Sequence, residues 1–82
     1  GNDWTCLVKL WNRESSWLWY KENKSSGAYG IPQSLPASKM AAFGANYRDD
    51  AAVQIDWGLW YIAQRYGSPY VAWQHSEQTG WY

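Results

Sequence analysis

The chain has 82 residues, with seven basic and seven acidic side chains and no net charge. That length allows one domain, residues 1–82, and the even charge offers no basic surplus for a phosphate backbone, so a nucleic-acid partner is set aside. Eight Trp, seven Tyr and one Phe are more rings than a core this small needs, so some are expected to line a cleft.

No apolar run is long enough to span a bilayer. The start, Gly1-Asn2-Asp3, lacks a basic region followed by an apolar run, so an extracellular role would need an export signal outside this segment. Cys6 is the only cysteine, which rules out an internal disulfide and a cysteine-based metal site. Its place in a helical pattern makes it a small packed side chain. No metal or organic cofactor is expected, and the chain is read as a monomer.

Four short helices are predicted, giving a mainly α fold. Asp3 suits the N-cap of the first, over 4–15, where Trp4, Leu7, Val8 and Trp11 make one apolar stripe. Residues 16–35 read as a Gly-rich loop with room for a brief extended or hairpin segment. Pro36 fits the first position of a second helix, over 36–43, closed by Gly44. Asp49 or Asp50 can cap a third that runs to Tyr66 and stops at Gly67. Its stripes are Ala51, Ile55, Leu59, Ile62 and Tyr66, broadened by Val53, Trp57 and Trp60. Ser68-Pro69 opens a fourth, over 69–76, and the apolar tail Gly80-Trp81-Tyr82 is expected to pack back.

Glu14 stands out because it continues the Trp4-Leu7-Val8-Trp11 stripe. A carboxylate on the apolar side of a helix has its pKa raised by burial, and a carboxyl still protonated near neutral pH can serve as a general acid. Periodicity also allows a helix-end Glu paired with Lys9, Arg13 or a backbone amide.

Two further segments add to this. Arg13-Glu14-Ser15-Ser16-Trp17 is followed by Ser25-Ser26-Gly27-Ala28-Tyr29-Gly30-Ile31-Pro32-Gln33-Ser34-Leu35-Pro36, and later by Gln54-Ile55-Asp56-Trp57-Gly58 and Val71-Ala72-Trp73-Gln74-His75-Ser76. In this order, over most of residues 4–76, they resemble the lytic transglycosylase family, and small actinobacterial and phage domains of that kind above all. That family has a catalytic Glu-Ser, a Gly-Ala-x-Gly-Leu-Met-Gln turn, an Asn-Ile-x-x-Gly helix and an Ala-Tyr-Asn-Ala-Gly motif. The resemblance implies a minimal lysozyme-like domain whose Gly-rich loop forms the cleft. It implies cleavage of the β-1,4 bond between N-acetylmuramic acid and N-acetylglucosamine in peptidoglycan. It also implies an extracellular, cell-wall or phage-virion setting.

The same resemblance makes Glu14 the catalytic acid/base and Gln33 a glycan contact. Gln33 has both a donor and an acceptor, and can equally hold the Gly27–Gly30 turn. Ser25 or Ser26 could orient the muramyl acetamide or simply cap the turn. Tyr29 suits a sugar platform or a core ring. Trp73 stands where the family has its cleft Tyr, so the hydroxyl there is lost or supplied by Tyr29, Tyr70 or His75. His75, the only histidine, could donate to substrate or cap a helix end. Pro32 replaces the family's Met, and Tyr70 stands where some relatives carry a Cys able to pair with one near position 6.

The family's chemistry needs one carboxylate. A hydrolytic lysozyme would need a second, about 5–5.5 Å away as nucleophile or about 6.5–9.5 Å away as base, for which Glu22 is the best candidate and Asp56 a weaker one. A non-catalytic wall-binding module and a structural piece of a phage tail or secreted wall protein are the remaining alternatives.

Overall fold

The computed structural model describes residues 2–80, so Gly1 and the tail residues Trp81 and Tyr82 lie outside it. The chain is mainly helical. Helix α1 spans Asn2–Ser15, a 3-10 helix Ala37–Ala42, α2 Ala51–Arg65 and α3 Pro69–Thr79. Among the described residues strand pairing is limited to two isolated bridges, Glu22 with Tyr29 and Tyr29 with Ser34. No helix among them is long and apolar enough to cross a membrane.

The helix ends follow local chemistry. Asp50 caps α2, its carboxylate accepting from Ala52 N at 2.9 Å and more loosely from Val53 N. At the other end Ile62 O accepts from both Tyr66 N and Gly67 N, with Gly67 at φ +84°. Ser68 caps α3 through Val71 N, with Pro69 in the first turn, and Gly80 closes it in the left-handed region. Three ends differ from expectation, the first being that of α3, which runs to Thr79 and not to 76. Helix α1 begins before Asp3, which sits inside the first turn, where a carboxylate still favours the positive end of the helix dipole. The predicted α-helix after Pro36 is a 3-10 helix, and Pro36 precedes it in extended geometry.

The buried faces are rotated from those the periodicity implies. On α1, Cys6, Leu7, Leu10 and Trp11 are buried, while Trp4 is 62% exposed and packs against Trp17 with ring centres 6.3 Å apart. On α2, Gln54, Trp57, Gly58 and Ile62 face inward, while Leu59 and Trp60 are 42% and 48% exposed. Gly58 explains the α2 rotation. A Cβ there would stand 2.6 Å from Trp11 Cζ2 and 3.1 Å from Pro32 Cβ, so α2 meets α1 and the loop through a residue that has no side chain.

The core has two clusters. Leu7, Leu10, Trp11, Ile31, Ile62 and Ala72 form one, and Tyr29, Ala37, Met40 and Trp57 the other, with Tyr61 packed against both. Helix α3 lies chiefly against α1, and its buried residues, Ala72 and Ser76, are small.

Candidate functional site

Glu14 occupies the last turn of α1, between the fully buried Trp11 and Ser15. Ser15 fixes that turn. Its hydroxyl lies 2.8 Å from Ile31 O, to which it donates, with Trp11 O at 3.3 Å as its second partner. The end of α1 is thereby tied to the Gly30–Gln33 turn, and Glu14 is left half-buried at the seam.

The turn is held from below by Gln54, which is fully buried in α2. Its Oε1 accepts from Ile31 N at 2.9 Å, and its Nε2 donates to Trp19 O at 3.0 Å and Tyr47 O at 2.8 Å. One amide thus joins three loop segments beneath the site. Gly30, at φ +81°, passes so close to it that a Cβ would lie 2.6 Å from Gln54 Oε1. Sequence reading placed Gln54 in a motif without a role. The available signal was a polar side chain within an otherwise apolar helix face.

A small cavity of about 80 Å³ opens at Glu14. Pro32, Gln33 and Leu35 from the Gly-rich loop line one part, and Lys39, Trp57 and Tyr61 another. A larger groove of about 690 Å³ shares Lys39, Trp57 and Tyr61 with it and extends past Phe43, Trp60 and Arg65. The two adjoin through these shared residues, with the acid in the smaller cavity and most of the aromatic rings along the larger. Trp57 and Tyr61 stack nearly parallel, 15° apart with ring centres at 5.1 Å.

Burial pushes the Glu14 carboxyl above its ordinary pKa, and the nearby cations Arg13 and Lys21 pull it partly back. Its protonated form therefore persists to higher pH than for an exposed Glu. Burial likewise raises the Tyr61 phenol, with the charge of Glu14 a smaller contribution in the same direction. Tyr61 also shares a side-chain hydrogen bond with Tyr66. Ionised Glu14 thus costs the fold stability. This cost is absent where the group is protonated in both folded and unfolded chains, and complete above its raised folded pKa. Glu14→Gln is expected to melt with the parent at about pH 4 and above it at about pH 7. Thermal melts at the two pH values check this, and a lower midpoint at neutral pH would make the carboxylate structural.

Of the residues singled out from sequence, Glu14 and Gln33 line the smaller cavity together. Gln33, at φ +57°, also holds the turn, its Nε2 donating to Lys21 O at 3.1 Å and Gly30 O at 2.9 Å. The others line neither cavity. Ser25 and Ser26 sit exposed in a turn organised by Asn23 Oδ1, and Ser26 Oγ accepts from Ala28 N. Tyr29 is a core ring, its hydroxyl donating to Arg48 O at 2.8 Å beneath the Arg48 guanidinium. Trp73 packs against the α1–α3 cluster. His75 lies against Tyr66 with ring centres 5.3 Å apart. Tyr70 is exposed, its hydroxyl accepting from Gln74. Tyr61, which sequence reading did not select, is the phenol that lines the Glu14 pocket.

Glu22 and Asp56 are exposed and line neither cavity. Among the described residues, Glu14 is the only acid that lines either cavity. No group of three His, Cys, Asp or Glu able to hold a metal ion occurs among the described residues. Comparison of this chain with protein-family models, curated proteins and solved structures finds no match.

Proposed function

We propose that this chain is a minimal lysozyme-like domain that cleaves peptidoglycan glycan strands as a lytic transglycosylase, working on the cell wall from outside the cell or from a phage virion. The observation that carries this reading is one half-buried carboxyl of raised pKa, alone among acids, at the end of an aromatic groove.

Protonated Glu14 gives its proton to the glycosidic oxygen as the bond from C1 breaks. The resulting carboxylate then takes the proton of the muramyl 6-hydroxyl, whose oxygen bonds to C1 and closes a 1,6-anhydro ring. Glu14 ends protonated, ready for the next turnover. The Tyr61 phenol, which lines the Glu14 pocket, would exchange its Tyr66 partner for the leaving oxygen or the acetamide, the part that Trp73 cannot play without a hydroxyl. The exposed Trp60 offers a ring face for sugars along the groove, and buried Trp57 backs it through its stack on Tyr61.

A hydrolase would differ in residues and in product. Glu22→Gln is expected to keep activity within a few-fold of the parent, whereas loss of a nucleophile or base would cost on the order of 10²-fold or more. Mass spectrometry of muropeptides after digestion is the direct test. Anhydro ends, lighter by one water than reducing ends, are expected. Reducing ends together with a large Glu22→Gln defect would make the domain a lysozyme. No cleavage by folded protein that still binds glycan would make it a binding module.

A further inference from the structure

We propose that the groove beside Glu14 prefers glycan that carries carboxylates, and that Lys39 and Arg65 are the side chains that recognise them. This rests on the glycan-cleaving reading above. The groove's exposed rings, Phe43 and Trp60, can stack on sugar faces, but stacking by itself does not separate a neutral chitin-like strand from an anionic one. The charges lining the groove make that separation. Both are cationic and no acid lines it, although the chain as a whole carries equal numbers of acidic and basic groups. The bias is therefore local to the groove.

The two cations also differ in position. Lys39 lines both the Glu14 pocket and the groove, so it stands at their junction. Arg65 lines the groove and not the Glu14 pocket, its guanidinium 5.7 Å from the centre of the Tyr66 ring and hydrogen-bonded to the Tyr66 side chain, which leaves other N–H donors for a ligand. In peptidoglycan every second sugar bears a lactyl group whose carboxyl is free or continues into an acidic stem peptide. A strand laid along the rings would bring one such group to Lys39 near the cleaved bond and present the next toward Arg65. A guanidinium can take a carboxylate in a two-pronged hydrogen bond, which makes Arg65 the more geometrically selective of the pair.

The test is calorimetric binding to soluble peptidoglycan strands, either intact or with their carboxylates capped as methylamides. Glu14→Gln protein is used so that the strands survive the titration. Intact strands are expected to bind about fivefold tighter or more, the scale of two exposed charge pairs. The preference should shrink in about 0.5 M salt and fall toward one in Lys39→Gln/Arg65→Gln. Both side chains are exposed, so the double variant should fold, and its melting curve checks this. Arg65→Lys should recover part of the preference. Equal binding of intact and capped strands, or a preference unchanged in the double variant, would overturn the proposal. Product analysis of the parent separates the two ideas. A preference without anhydro product leaves the groove assignment standing and removes the catalytic one, and anhydro product without a preference does the reverse.

Discussion

Glu14→Gln is expected to reduce peptidoglycan cleavage by 10²-fold or more while leaving the fold intact. The amide keeps the shape of the carboxyl and its place between Trp11 and Ser15, and it removes the proton that both half-reactions need. General acid–base groups contribute roughly 10²–10⁴-fold, and here one group serves as acid and then as base, so the upper part of that range applies. No other acid lines either cavity to take over. The parent's activity should fall as pH rises through the Glu14 pKa, and burial places that fall above the range of an exposed carboxyl. Release of soluble muropeptide across a pH series measures both. A variant retaining more than a few per cent of activity would remove Glu14 from the chemistry.

The largest expected loss of stability follows Gln54→Leu. The change is close in volume, so little cavity forms, but it strands three partners at once: the buried Ile31 N–H and the part-buried Trp19 C=O and Tyr47 C=O. An unsatisfied buried group costs about 1–3 kcal/mol and a part-buried one less, so a total of about 3 kcal/mol is expected. For a domain of this size that lowers the melting midpoint by roughly 12 °C or more. Activity measured well below the new midpoint should also fall, because the loop carrying Pro32 and Gln33 loses its support. A midpoint within a couple of degrees of the parent's would mean that these loops are held by other contacts.

Part of the site was legible before the fold was known. Glu14 announced itself as a charge on an apolar face, and Gln33 as an amide beside a Gly-rich turn. That Tyr61 and Trp57 line the pocket beside Glu14 was not legible. On a helix whose apolar residues run nearly all the way round, nothing in the spacing marks which aromatic faces a cavity. Trp73 and Tyr29 were equally good aromatic candidates by type. Their burial against Leu7 and Met40 clusters is a matter of packing that type does not reveal.

Gln54 shows where the division falls. The amino-acid order alone was sufficient for most helix ends, because a cap is made within two to five residues: Asp50 to Ala52 N, Ser68 to Val71 N, and Gly67 back to Ile62 O. It was sufficient also for the mainly α character and for the prominence of Glu14. The direction each helix faces was decided in three dimensions. Gln54 reaches Trp19 across 35 positions, Ser15 reaches Ile31 across 16, and Gly58 admits Trp11 from a different helix. A buried amide and a glycine both lower the apparent hydrophobicity of the face they occupy, so the periodic signal turns toward Leu59 and Trp60. Only close packing, which needs a vacant Cβ at residue 58 and three hydrogen bonds at residue 54, turns α2 the other way and brings Trp57 and Tyr61 beside Glu14.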